Sequence, residues 1–480
     1  MKPFDSALEK VLTICACYYL AVYCIVGAMR MSFPGALEWL ESGMYYQMLR
    51  VIAGQQLYVE PSLEHVPFIY PPLYFYVTAA LARITGPAFL TLRLVSYLSS
   101  LGSMALIGYI VYRESNRRIA GLWAAGLFAA TYSLSATYFD VGRVDSLFLF
   151  LSLGAVTVIR FMPNITGCML SAILLVCAAL TKQTALILSL PLFLYIFIFR
   201  SRSQALLFTG CFLITLGLLS LWLNASTQGW YFFYTIELPQ HHPILWNKME
   251  SFWLKQIIKP LGIMVCIAIS SFFLLTYKKS RAIALLHALC FTTLLGISCI
   301  HWIKAGGFKN VLIPAHAAIA IGAGVALAFT QKSWLRRLLL VATCIQFALL
   351  WYNPLPMIPT VRQADCVRKT VAAIKKIDGE VFAPASGYLP LMAGKKHSAH
   401  ISAIDDIVRY TKDGAVHDRL LAQIKNAIHR KQFAAILLDR KFLLFQREIN
   451  ADYILDPLYH QELTYWPLIK HWYVPGPPQP

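Results

Sequence analysis

The stretch "LEKVLTICACYYLAVYCIVGAM", Leu8–Met29, is followed after a short gap by "EWLESGMYYQMLRVIAGQQLYVEP", Glu38–Pro61. The first part is apolar over the roughly 20 residues that a bilayer crossing needs. No small-residue cleavage site follows it, so it reads as a retained span and not as a signal peptide. The second part places two glutamates three residues apart at the mouth of that span, followed by tyrosines, Gly54 and a Val-Glu-Pro turn. A carboxylate beside hydrocarbon is costly unless it faces a cavity or a partner.

Working outward, the whole chain has the same character. It is 58% hydrophobic and 14% charged, with a mean hydropathy of +0.59, whereas soluble domains carry about 25% charged residues. Aromatics reach 13%, as interfacial belts of Trp and Tyr require. The net charge of +19 does not imply a nucleic-acid partner. The basic residues sit between apolar runs and not along one amphipathic stripe.

The expected fold class is an all-α polytopic membrane protein with about 11 spans. They fall at 8–29, 91–112, 118–138, 145–162, 165–182, 184–200, 205–224, 256–277, 282–302, 311–330 and 336–352. Alternate loops carry the basic clusters: Lys2 and Lys10; Arg113, Arg117 and Arg118; Arg160; Arg200 and Arg202; Lys278, Lys279 and Arg281; Lys332, Arg336 and Arg337. The positive-inside rule makes these loops cytoplasmic. An odd span count then places the N-terminus inside and residues 353–480 outside. Ten of the eleven cysteines lie in spans, and Cys366 alone cannot build a disulfide framework. This usage points to a bacterial inner membrane.

Two domains are expected, 1–352 in the membrane and 353–480 outside it. Residues 30–90 form the first outside loop. In it, Pro34 to Gly54 reads as one helix, with Leu37, Leu40, Met44, Met48 and Val51 as an apolar stripe suited to the membrane surface. "YPPLYFYVTAALARITG" reads as a short juxtamembrane helix. In 353–480, "GEVFAPAS", "DRLLAQIKNAIHRK" and "FAAILLDR" alternate strand and helix patterns, predicting a small α/β domain that ends in the Pro-rich "WYVPGPPQP".

Charges without a topological role concentrate on the outside: Glu38, Glu41, Arg50, Glu64, Arg93, Asp140, Arg143, Asp145, Lys182, His241, His242, Lys304 and Lys309. Glu38 and Glu41, at i and i+3, share a helix face with Tyr45 and offer a general base; the bland alternative is a solvated polar face. "DVGRVD" gathers Asp140, Arg143 and Asp145 in one turn, either as a site or as an ion-paired loop cap. Lys182, beside Gln183 in "LTKQT", is an isolated cation suited to a phosphate, or else a snorkelling lysine. "HWIKAGGFKN" adds Lys304, Lys309 and Asn310 around a glycine pair. His241 and His242 lack partners at metal-ligand spacing, so a divalent metal is the lesser reading and no cofactor is required.

The series E-x-x-x-Y (Glu41, Tyr45), "GQQLY", "YPPLY", "RLVS", an acidic turn before a span, "TKQT" and "GGFKNVLIP" resembles the GT-C membrane glycosyltransferases. The likeness is to their family 39-like branch, which holds protein O-mannosyltransferases and the lipid A aminoarabinose transferase. It covers roughly residues 8–352. The resemblance implies inverting transfer of a sugar from a polyprenyl-phosphate-linked donor to a lipid, glycan or protein acceptor on the extracytoplasmic face. It makes Glu41 the first-loop acid, with Glu38 the other candidate. Asp145, or Asp140 one register away, becomes the second acid and Lys182 the cation on the lipid phosphate. A transporter or lipid-linked glycan flippase or ligase is the rival reading. Charges gathered at one face, with spans mostly unbroken, favour the enzyme.

Overall fold

The computed structural model describes residues 3–330, 333–411, 414–438, 445–456 and 471–476. Lys2, Lys332, the end of "FAAILLDR" and the last four residues of the Pro-rich tail lie outside the described residues.

A helix stands in each of the eleven expected spans. Among the described residues, seven are long and apolar enough to cross a bilayer: Asp5–Met31, Phe89–Ser115, Val144–Phe161, Arg202–Ser226, Lys248–Lys278, Arg281–Ile303 and Lys309–Phe329. In chain order the first nine helices are α1 (Pro3–Met31), α2 (Glu41–Ile52), α3 (Leu73–Thr85), α4 (Phe89–Ser115), α5 (Arg118–Ala130), α6 (Val144–Phe161), α7 (Ile165–Thr181), α8 (Leu186–Phe199) and α9 (Arg202–Ser226). With 13 residues, α3 reaches only about 20 Å against a hydrocarbon core of about 30 Å. It is the short helix expected there.

One span is shorter than its hydropathy suggests. Residues 118–138 were expected to be helical throughout, but α5 stops at Ala130. Thr131 turns its hydroxyl onto the Phe128 carbonyl at 2.7 Å. Ala136 and Thr137 then adopt φ of 48° and 61°, a left-handed geometry that ends a helix. The apolar run continues as a chain of turns that delivers Asp140.

The chain forms two compact units. The first comprises residues 1–29, 94–220 and 243–357. At its centre the helix Ile313–Phe329 is buried from Ile313 through Ala328. It packs on Lys259–Lys278, Arg281–Ile303 and α5. Its Ala/Gly-rich sequence permits this, because small side chains let membrane helices approach closely. A Cβ on Gly322 would stand 2.8 Å from that of Ala268. One end of the unit is tied by ion pairs to the basic loops: Arg337 to Asp5 at 2.6 Å, Arg117 to Glu9 at 3.4 Å, and Arg160 to Glu114 at 2.6 Å.

The second unit comprises residues 30–93, 221–242 and 358–480. Here the first loop and the C-terminal segment share one core. Phe33, Ala36 and Phe89 pack with Val367, Tyr388, Leu437 and Trp472. The expected α/β pattern is present as a mixed sheet of order β1-β2-β4-β3, made of Glu380–Phe382, Phe433–Leu438, His471–Pro475 and Tyr453–Leu455. β1 runs parallel to β2, and the other pairings are antiparallel. Of the stripe expected on the membrane surface, Met44 and Met48 are instead fully buried on α2, while Leu37, Leu40 and Val51 are half-buried. Gly43 makes that seating possible: a Cβ there would lie 2.3 Å from the Phe68 ring. Among the described residues no cysteine forms a disulfide.

Candidate functional site

In the second unit, α2 begins at Glu41 and not at Pro34. The backbone groups that would make an earlier helical turn are already engaged. Glu41 Oε2 accepts the Leu37 N–H at 2.6 Å. Arg93 donates to the carbonyls of Phe33 and Gly35 at 2.6 and 2.5 Å. Glu38 therefore precedes the helix, with its Oε2 accepting the Leu40 N–H at 3.1 Å. The two glutamates do not share a helix face.

Arg93 also grips Glu41 with two parallel bonds, Nε to Oε1 at 2.9 Å and Nη2 to Oε2 at 2.8 Å. Both side chains are at most 1% exposed. This is the bidentate fork by which guanidinium holds carboxylate. Nearby, Tyr45 donates to the Pro87 carbonyl at 3.2 Å and stacks on Phe89 at 5.0 Å. His242 lies against Asp406 at 3.4 Å and the Tyr410 ring at 4.2 Å, while His241 is exposed.

The first unit gathers the other candidates. Arg143 is extended and precedes α6, putting Asp145 in the helix's first turn. Lys182 ends α7, and Asn310 lies in the turn Lys309–Leu312 that opens the central helix. Asp145 Oδ1 accepts from Lys182 Nζ at 2.7 Å and from Asn310 Nδ2 at 3.1 Å. Its Oδ2 is buried without a hydrogen-bond partner among the described residues, with Arg143 Nε 3.9 Å away. Asp145, Lys182 and Arg143 are each at most 5% exposed. The Arg143 carbonyl accepts the Ser96 hydroxyl at 3.1 Å. Asp140 Oδ1 accepts the Tyr132 hydroxyl at 2.7 Å.

Residues 303–305 are zipped to 243–245 through Leu245 N to Ile303 O at 2.7 Å and Ala305 N to Pro243 O at 3.0 Å. Burial holds the Lys304 ammonium below its usual pKa. Lys309 and Gln183 are half-buried beside their neighbours Asn310 and Lys182. Sequence reasoning missed His301, which lies within electrostatic reach of Lys182, Asp145 and Lys304. It also missed the partners of Glu41 and His242. Among the described residues, no three His, Cys, Asp or Glu side chains gather to hold a metal ion.

No family model matches the chain, and no curated protein matches it by sequence. Solved structures do match in fold. ArnT from Cupriavidus metallidurans, bound to undecaprenyl phosphate, is 13% identical with a TM-score of 0.61, over 97% of this chain and 98% of that one. The apo state of the same protein also has a TM-score of 0.61, over 90% and 94%. The archaeal oligosaccharyltransferase AglB from Archaeoglobus fulgidus, in complex with an inhibitory peptide and a dolichol-phosphate, is 10% identical with a TM-score of 0.52, over 88% and 69%. The chain has the GT-C fold of membrane glycosyltransferases.

Proposed function

We propose that the protein is an inverting glycosyltransferase that moves a sugar from a polyprenyl-monophosphate-linked donor to a lipid, glycan or protein acceptor. The observation that carries this reading is the buried Asp145–Lys182–Asn310 cluster with Arg143. It sits at one end of an apolar bundle whose fold matches that of a protein captured with undecaprenyl phosphate. The basic loops at the other end set the orientation, with the N-terminus cytoplasmic and the cluster facing the outside of a bacterial inner membrane.

The charge balance supports an anionic ligand. Along these segments Asp140 and Asp145 are outnumbered by Arg143, Lys182, Lys304 and Lys309, a formal excess of two positive charges. Such an excess calls for an anion, and a lipid phosphate supplies it. As the acceptor oxygen or nitrogen attacks the anomeric carbon, the bond from that carbon to the phosphate oxygen breaks and its electron pair leaves with the polyprenyl phosphate. Lys182 and Arg143 stabilise that developing charge.

The acceptor's proton goes to Asp145 Oδ2, the carboxylate oxygen without a hydrogen bond; Oδ1 stays pinned by Lys182 and Asn310. Glu41 has both oxygens engaged by Arg93 and Leu37. We assign it a positioning task, folding the first loop, and leave Glu38 as the alternative base.

The test supplies purified protein with radiolabelled polyprenyl-monophosphate sugar and candidate acceptors and measures release of free carrier lipid. Asp145→Asn is expected to abolish release while donor still binds, and Lys182→Ala to weaken donor binding. A fully active Asp145→Asn would move the base to Glu38. Consumption of only a diphosphate-linked donor would make the protein a ligase, and solute flux without a glycosylated product would make it a transporter.

A further inference from the structure

The end of the bundle remote from Asp145 holds basic residues that the proposed transfer does not use. Arg160, in the last turn of α6, lies 15 residues beyond Asp145, roughly 22 Å along the helix. Around it the arginines are answered: Arg160 by Glu114, Arg117 and Arg336 by Glu9, and Arg337 by Asp5. Arg113 and Arg118 have no carboxylate partner among the described residues, and both are exposed. They lie against tyrosines. Arg118 is 5.9 Å from the Tyr112 ring; Arg113 is 5.4 Å from the Tyr109 ring and donates to its hydroxyl.

From these residues an open groove of about 590 Å³ runs between α4 and α5, with α1 on its third side. Its origin is local. Ala105, Gly108 and Tyr112 recur at helical spacing on α4, and Arg118, Gly121 and Ala125 do so on α5. Where the helices touch, both carry glycine, and a Cβ on Gly121 would stand 2.4 Å from the Gly108 carbonyl oxygen. The backbones meet, and no side chain fills the space above them. The result is an apolar channel with guanidinium and phenol groups at its mouth.

The geometry points to a binding site for one anionic phospholipid, with an acyl chain along the groove and its phosphate on Arg118. The Tyr109 and Tyr112 hydroxyls and Arg113 flank that phosphate. An unanswered guanidinium pairs with phosphate by charge-assisted hydrogen bonds, and basic pockets between membrane helices take anionic head groups. A zwitterionic lipid adds no net negative charge beside the two arginines, whereas an anionic phospholipid adds one. The site goes beyond the proposed transfer, since neither its residues nor its end of the bundle take part in that chemistry.

The test is native mass spectrometry of the full chain in detergent, with phosphatidylglycerol or phosphatidylcholine added separately. One phosphatidylglycerol should survive activation that strips phosphatidylcholine. Arg118→Gln, a change at an exposed position, should weaken retention roughly fivefold. Ala105→Trp, which fills the groove, should abolish it at an unchanged thermal midpoint. Equal retention of both lipids, or wild-type phosphatidylglycerol retention in Arg118→Gln, would mean annular lipid only and overturn the site.

Discussion

Glu41→Gln separates a structural from a chemical role for the first-loop acid. The substitution keeps the side chain's shape but removes the charge that Arg93 faces at 2.8 and 2.9 Å, with both partners at most 1% exposed. Breaking a buried pair by neutralising one partner costs about 3–5 kcal/mol, because the remaining charge is left uncompensated. Arg93 cannot swing out to water, since its other donors hold the carbonyls of Phe33 and Gly35. For a unit of about 200 residues, each kcal/mol lowers the midpoint by about 2–4 °C. The expected loss is therefore roughly 6–20 °C. The assay is apparent thermal unfolding at fixed scan rate in detergent, paired with turnover per folded molecule at low temperature. Arg93→Met should fall similarly, and the double variant should lose less than the sum of the two. A Glu41→Gln protein with wild-type melting and no turnover would refute this reasoning and return the base to Glu41.

Burial holds His65 and His397 down to about 3 and Asp406 up to about 8. Below about pH 6.5 the unfolded chain takes up two histidine protons that the folded one refuses, outweighing the single proton Asp406 retains, so stability falls on acidification. Between about 6.5 and 8 the folded state keeps the Asp406 proton that the unfolded state has released, so stability falls as pH rises. Stability measured across pH 4–9 should thus peak near 6.5, and Asp406→Asn should flatten the alkaline side; an unchanged alkaline limb would contradict the assignment. Gly43→Ala drives a Cβ to 2.3 Å from the Phe68 ring and should cost about 1–3 kcal/mol by overpacking, read from the same melting assay. Gly322→Ala meets Ala268 at 2.8 Å and should lower the melting midpoint and expression of the full chain comparably.

The helices and the first two strands of the small sheet were legible because their signals are local, whereas β3 was not read and β4 lies largely in the stretch read as a Pro-rich tail. Apolar run length marks each span, and a short continuous apolar run after an amphipathic helix marks "FAAILL" as β2. The reading failed where a distant side chain overrode a local pattern. Spacing alone puts Glu38 and Glu41 on one helix face, but Arg93, 52 residues away from Glu41, takes the carbonyls and the carboxylate that a longer helix would have used. Apolar composition extends α5 to 138, yet hydrogen bonds and left-handed residues after Ala130 end it. The candidate cluster was half legible. Its members stood out as charges without a topological role, but their pairing spans 37 residues for Lys182 and 165 for Asn310, separations that no periodicity encodes.

The acids that are answered narrow where chemistry can occur. Glu9, Glu114 and Asp5 meet arginines at the end of the bundle carrying the basic loops. Glu41 meets Arg93 in a fork that leaves neither oxygen idle. Asp145 differs from all of these. One oxygen is fixed by an ammonium and an amide, and the other is buried without a hydrogen bond, facing a guanidinium 3.9 Å away. Leaving a buried carboxylate oxygen unbonded costs about 1–3 kcal/mol or more. An acceptor hydroxyl or amine is the group that the proposed transfer would bring to such an oxygen. On the proposed reading that oxygen is the one that would take the acceptor's proton, beside the cations proposed to hold the departing phosphate.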